Sequence, residues 1–261
     1  MITMNAFETK WIGKEFYYKE ITDSTSLDIK RLSDQGCAEG TVVCADVQTA
    51  GRGRRGRSWQ SNAGETLLFS LLLKPDMEPD KAPQITLLMA LAVTKVLRED
   101  YDLDAKIKWP NDVVVNGKKV CGILTEMFLE GRNIDSVIVG TGINVNQKTI
   151  PEELLESAAS LSLEKGGDLS REELLGKILS AFEWYYERFL QEGGLYEFVA
   201  QYNEWLVSLD KEVRVLDPQG EYSGISKGIT TNGELLVELP DGRVIEVYAG
   251  GVSVRGLYGY V

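Results

Sequence analysis

The sequence contains no histidine and only three cysteines in 261 residues. Without imidazole, Ser-His-Asp and Cys-His nucleophile systems, histidine-ligated zinc and imidazole acid-base catalysis are all excluded. Cys37, Cys44 and Cys121 are odd in number and show no CxxC spacing, which indicates neither a disulfide framework nor a cysteine-bound zinc. They read as reduced, mostly buried small hydrophobes. No apolar run is long: the best, Ile85 to Val93, is broken by Thr86 and falls well short of the roughly 20 residues that span a bilayer. The first twenty residues interrupt their apolar positions with charges and lack a signal-peptide core, so cytoplasmic residence and no membrane partner are expected. Positive charge is outweighed, with 28 Lys and Arg against 40 Asp and Glu and a net charge of −12. That balance argues against a global binder of nucleic acid or anionic membrane. What is present is a 43% hydrophobic content, enough for a real core in one large domain or a domain with a small appendage.

Along the chain, Thr25 and Asp28 have capping-box spacing ahead of a short helix that Gly36 can end. Thr41 to Val47 and Leu67 to Leu73 are β-rich runs, and Ala82 to Tyr101 reads as a largely buried helix behind an Asp80/Pro83 start. Ala105 to Trp109 alternates as a strand that Pro110 stops. Asn116-Gly117 between two β-rich runs predicts a two-residue hairpin, because both residues tolerate positive φ. Asn133 to Val139 predicts another strand, with Gly140 to Asn146 at its exit. Ser170 with Glu173 opens a helix that presents Leu175, Ile178, Phe182, Tyr185 and Phe189 on one stripe for packing on the sheet. Residues 151 to 204 hold 12 acidic and 4 basic residues, which reads as a solvated face. From Glu212 onward, short alternating strands broken at Asp217-Pro218, Thr231-Asn232-Gly233 and Asp241-Gly242 suggest a small appended β-barrel.

The loop Gln48-Thr49-Ala50-Gly51-Arg52-Gly53-Arg54-Arg55-Gly56-Arg57-Ser58-Trp59 concentrates four arginines within six positions of an acidic chain. Its glycines match GxGxxG, but a dinucleotide fingerprint requires a helix to open in the loop. A strand follows instead, so the Rossmann reading is rejected, and no GxxxxGK[ST] occurs. Three readings stay open: a cationic clamp for a polyphosphate with Trp59 packing on a base or closing the loop, an RGG-like nucleic-acid arm, and surface arginines on a turn. Lys106 and Lys108 share one face of their strand, with Lys108 near its end. A strand lysine is ordinarily solvated, so Lys108 alone decides nothing. The glycines of Gly140-Thr141-Gly142-Ile143-Asn144 permit close backbone approach to a phosphate, or mark an ordinary strand exit.

Taken together, Asp23-Ser24-Thr25, the loop from Gln48 to Trp59, Lys108-Trp109-Pro110-Asn111-Asp112, the run Lys119 to Glu126 and the run Gly140 to Asn146 resemble the bacterial and archaeal biotin protein ligases. The resemblance implies an α+β fold: a mixed-sheet catalytic domain flanked by helices over residues 1–210, then an SH3-like β-barrel over 211–261. It implies an ATP-dependent, AMP-forming ligase that makes biotinyl-5′-AMP and transfers biotin to a lysine of a biotin carboxyl carrier protein or domain. Biotin would contact Ser24, Thr25, Ser26, Gln48, Gly51, Arg52, Gly53, Arg54, Lys108, Gly122, Ile123 and Leu124. ATP would contact Arg54, Arg55, Arg57, Trp59, Asn111, Asn144 and Arg255, with Mg²⁺ held mainly by the phosphates and helped by Asn144. Lys108 and Arg52 would be catalytic. Two positions depart from the family pattern: Ser26, where asparagine is frequent, and Gly251, where an acidic residue is frequent. The resemblance further implies a homodimer through a sheet edge. With the ligase motifs starting about twenty residues in, no winged-helix repressor domain and no DNA partner are expected. A lipoate ligase is the neighbouring enzyme reading, and an RNA- or ligand-binding clamp the non-enzymatic one.

Overall fold

The computed structural model describes Ile2 and residues 8–250, 252–256 and 260–261; Gly251 lies outside them. The chain runs β1 (Phe16–Thr22), α1 (Thr25–Asp34), β2 (Val42–Gln48), β3 (Thr66–Leu73), α2 (Ala82–Glu99), β4 (Ala105–Lys108), β5 (Asp112–Val115), β6 (Lys118–Glu130) and β7 (Asn133–Asn144). It continues through α3 (Leu161–Lys165), α4 (Arg171–Glu192), α5 (Val199–Trp205), β8 (Glu212–Leu216), β9 (Tyr222–Ile229), β10 (Leu235–Glu238), β11 (Val244–Val247) and β12 (Ser253–Gly256).

Seven strands form one mixed sheet in the order β1-β2-β3-β7-β6-β5-β4, with β1 parallel to β2 and every other pair antiparallel. Alternation sorts the strand residues onto two faces. Val42, Cys44, Phe69, Val139 and Ile143 join the core built on α2 and α4, while Val43, Leu72 and Ile138 pack beneath Ile29 of α1. The ten-residue α1 packs mainly on β2, β3 and part of β7, reaching β6 at Phe128. The rest of that face, over the ends of β6 and β7, is left to a loop.

Several local expectations hold in detail. Asn116 and Gly117 both take positive φ, at 50° and 76°, as a type I′ hairpin turn requires. Ser170 accepts the Glu173 N–H at 3.2 Å and caps α4. Others need correction. Ser24, not Thr25, is the N-cap of α1, and Asp28 turns away from the helix end to take Lys19, Thr22 and Arg31. Strand β1, half exposed at the sheet edge, is absent from the sequence expectations although Phe16, Tyr17, Tyr18 and Ile21 are strand formers; Phe16 and Tyr18 pack against the core. The strand does not end at Gly140: β7 runs on to Asn144, paired to β6 through Ile143 and to β3 through Asn144. Finally, α4 packs chiefly on α2 and only secondarily on the sheet.

The last segment forms a five-stranded antiparallel sheet, β11-β10-β9-β8-β12. No pairing between β11 and β12 closes it into a barrel among the described residues. It is tied to the end of β4 by the Trp109 Nε1–H bond to the Gly233 carbonyl at 2.9 Å and to α5 by Asn203 Oδ1, which accepts the Ile229 N–H at 2.9 Å.

Candidate active site

The loop between β2 and β3 folds as a short hairpin. Gly53 N–H donates to the Arg57 carbonyl at 2.7 Å and Trp59 N–H to that of Gly51 at 2.9 Å. This directs the Trp59 indole onto the bare backbone of two glycines that face each other across β6 and β7, Gly122 and Gly142. A Cβ at either would lie within 2.7 Å of the ring. Glycine is required here because the indole forms the cover of a cleft.

That cleft has a volume of about 50 Å³ and gathers Ser24, Thr25, Ser26, Gln48, Arg52, Gly53, Arg54, Asn111, Gly122, Ile123 and Leu124. Of the residues proposed from sequence to hold biotin, only Gly51 and Lys108 do not line it. Its floor is a chain of polar groups. The Thr25 N–H and hydroxyl both donate to Gln48 Oε1, at 2.8 and 3.0 Å, and Ser70 bridges the Thr25 and Ser26 hydroxyls at 2.8 and 3.0 Å. Hydroxyls that can donate or accept and a fixed amide suit a compact, uncharged polar ring system. Ser26 is thus a floor residue despite its departure from the family pattern.

The four arginines diverge. Arg52 pairs with Glu126 at 2.8 Å. Arg54 donates to Asn111 Oδ1 at 2.9 Å and to the Ala249 carbonyl, joining the loop to the C-terminal sheet; burial lowers its pKa. Arg55, at φ 59°, lines a neighbouring groove of about 450 Å³ between α2, β6 and the C-terminal loops. Arg57 stays close to Lys108.

Lys108 lies on the same rung as the cleft. Residues in direct register share a face, and Lys108, Asp112, Gly122, Gly142 and Leu68 face one another successively across β4, β5, β6, β7 and β3. Its ammonium sits 4.2 Å from the centroid of Tyr260 and makes no hydrogen bond or ion pair among the described residues. Burial lowers its pKa to about 8, with Lys119, Arg255 and Arg57 pushing the same way and Asp112 opposing. Asp112 is instead paired to Lys119 at 2.7 Å and accepts the Tyr260 hydroxyl.

Four of the residues proposed for ATP, Arg55, Arg57, Asn144 and Arg255, do not line the cleft. The Asn144 amide donates to the Ala159 carbonyl at 3.0 Å and its oxygen accepts from Gln147 at 3.2 Å. Arg255 contributes from β12 to the cations around Lys108, its Nε buried with no hydrogen-bond partner among the described residues. Sequence reasoning missed Ser70, Lys119, Glu126 and Tyr260. Lys119 and Glu126 carried a signal as the two ends of the motif run Lys119 to Glu126, whereas Ser70 and Tyr260 carried none.

A polar floor, a glycine-backed aromatic cover and one unpaired cation, Lys108, on the same sheet rung suit a site for condensing a small acid with a phosphorylated partner. The chain belongs to the biotin/lipoate A/B protein ligase family, whose model matches residues 18–144, and a biotin protein ligase C-terminal domain matches 208–255. Within that family its relatives are biotin ligases. It is 36% identical over 249 residues to the bifunctional ligase/repressor BirA of Bacillus subtilis, covering 95% of this chain and 76% of that protein. It is 34% identical over 242 residues to the biotin–[acetyl-CoA-carboxylase] ligase of Paracoccus denitrificans, covering 88% and 98%. A solved biotin protein ligase from Aquifex aeolicus in complex with biotin and ATP superposes with a TM-score of 0.82 at 35% identity, covering 93% of this chain and 99% of that one.

Proposed function

We propose that this protein activates biotin with ATP to biotinyl-5′-AMP, releasing pyrophosphate, and passes the biotinyl group to a lysine of a biotin carboxyl carrier protein or domain. The observation that carries this reading is the single cleft in which Ser24, Thr25, Gln48 and Ser70 form a polar floor beside Arg52 and Arg54. The fused rings of biotin lie on that floor against Ser26, Gly122, Ile123 and Leu124. The valeryl chain leads past Gly51, Arg52 and Gly53 toward the cations.

No enzyme nucleophile is needed, because the carboxylate of biotin itself attacks the α-phosphate. The obstacle is repulsion between that carboxylate and the polyphosphate. Lys108 and Arg52, with Arg54, Arg55, Arg57 and Arg255, place positive charge where negative charge develops and where pyrophosphate leaves. Mg²⁺ enters bound to ATP as part of the substrate. The Asn144 amide, a helper for that ion in this reading, is engaged by Ala159 and Gln147 in the free protein. The mixed anhydride is labile to water, so the loop carrying Trp59 both covers and retains it. An uncharged lysine amine of the carrier then attacks the carbonyl and expels AMP.

The same reading includes cytoplasmic residence, no DNA partner and a homodimer through a sheet edge, where β1 exposes Tyr17 and Ile21. No helix among the described residues is long and apolar enough to cross a membrane. The test is incubation with Mg-ATP and either biotin or lipoate, following pyrophosphate release and a retained adenylate by mass spectrometry. Biotin-dependent release with bound biotinyl-AMP is expected; lipoate dependence, or dependence on neither, refutes the assignment.

A further inference from the structure

Lys108 and Asp112 are direct cross-strand partners, an arrangement that ordinarily closes into an ion pair. Here it does not. One Asp112 oxygen is taken by Lys119 from β6 and the other by the Tyr260 hydroxyl. The Tyr260 ring also lies over the Lys108 ammonium, within cation–π range at 4.2 Å. Tyr260 is brought in by the segment that follows β12, whose Val261 packs on Gly256 and against Gly117 of the hairpin turn. The groups facing Lys108 are therefore Asp112 from β5, Lys119 from β6, Arg57 from the loop, Arg255 from β12 and Tyr260.

We propose that Tyr260 is a positioning residue for Lys108: its hydroxyl occupies Asp112, so that the ammonium keeps its protons for substrate instead of spending them on the carboxylate beside it, and its ring holds that ammonium on the rung. The proposal rests on the role given to Lys108 above. It adds a specific division of labour, in which Lys119 balances the charge of Asp112 at one oxygen and Tyr260 hydrogen-bonds the other, leaving Lys108 unpaired among the described residues. An ammonium that is desolvated yet unbonded exchanges no internal partner when an anion arrives, which is the preorganised condition for electrostatic catalysis.

The experiment is competitive labelling of lysine amines across their titration range, read at Lys108 by peptide mass spectrometry, on the full chain and on Tyr260→Phe. Biotin-dependent pyrophosphate release and thermal melting are measured in parallel. Tyr260→Phe keeps the ring and frees an Asp112 oxygen, which Lys108 then captures. Its pKa rises above the parent's value near 8, and kcat/KM for biotin falls by about tenfold, the cost of breaking one charge-assisted hydrogen bond before substrate binds. The melting temperature falls by no more than about 2–4 °C, because the new Lys108–Asp112 pair replaces most of the hydrogen bond that is lost. An unshifted Lys108 pKa overturns the proposal, as does a loss of activity without that shift. Tyr260→Leu, which removes ring and hydroxyl together, is expected to lose more than Tyr260→Phe; an equal loss refutes the role of the ring. Because labelling reads the ammonium directly, absence of biotin turnover in the parent would defeat the functional reading while leaving this geometry separately decided.

Discussion

Gly142→Ala is the sharpest test of how the cleft is covered. A Cβ at residue 142 would stand 2.6, 2.8 and 2.9 Å from Cε2, Nε1 and Cζ2 of Trp59, whereas carbon contacts settle near 3.5 to 4.0 Å. The indole must retreat by about 1 Å, and overpacking of this kind costs roughly 1–3 kcal/mol. The sheet beneath cannot yield, since Gly142 is paired on both sides, to Leu68 and to Gly122. The strain therefore falls on the loop, whose Trp59 N–H is bonded to Gly51 and whose Arg52 and Arg54 line the cleft. Expressed as binding, 1–3 kcal/mol is about a 5- to 150-fold rise in KM for biotin. Biotin-dependent pyrophosphate exchange measures it, run on Gly142→Ala, Trp59→Ala and the double variant. If the clash is with the indole, the alanine costs almost nothing once Trp59 is gone, and the cycle returns a coupling of about the same 1–3 kcal/mol. An equal penalty in both backgrounds refutes the reasoning.

Other consequences can be checked alongside. Lys108→Ala should melt as the parent does but form adenylate about 10²- to 10³-fold more slowly in a single turnover, the usual effect of removing one preorganised charge; parent-rate adenylation would show the role to be misassigned. Lys108 has a folded pKa near 8 against 10.5 for a free lysine. The unfolded chain thus binds more protons between these values, and this group's contribution to stability rises with pH through that window while kcat/KM for biotin falls above about 8. Parallel pH series of melting and kinetics must show the two opposite trends. Glu183, 4% exposed, accepts the N–H groups of Lys10, Trp11 and Ile12 at 2.7, 3.0 and 2.9 Å. Glu183→Ala should destabilise by about 3 kcal/mol in urea with adenylation retained, and an unchanged midpoint would contradict this. Residues 51 to 58 should be protected from proteolysis by biotin plus ATP; equal cleavage with and without them would dismiss the loop as a cover.

Local chemistry made much of this architecture legible. The Asn116-Gly117 turn, the Ser170 cap and the apolar run of α2 depend on neighbours a few residues away, and each lies where the sequence puts it. What could not be read depends on distant pairing. Strand β1 has strand formers in Phe16, Tyr17, Tyr18 and Ile21, but its two faces are sorted only by the parallel bonds to β2 that hold it at the edge. Asp28 looks like a cap but is claimed by Lys19 across the turn. The same division runs through the site. Ser24, Thr25, Gln48 and Arg52 were identifiable from motif residues, whereas Ser70 enters only because β3 brings it under α1. Tyr260 lies 152 positions beyond Lys108, and no spacing rule links them.

The shared rung makes segment length a chemical variable. Between Lys108 and Gly142 the chain crosses the sheet by consecutive hairpins, so each strand inherits its register from the turn before it. Deleting one residue at Asn116-Gly117 would rotate every later β6 side chain to the opposite face, moving Lys119 away from Asp112 and Ile123 into the place of Gly122. Substitutions at the exposed tip of this hairpin should be absorbed readily, while single insertions or deletions should not. Across homologous enzymes and in libraries of variants, this stretch is therefore expected to drift in composition while its residue count stays fixed.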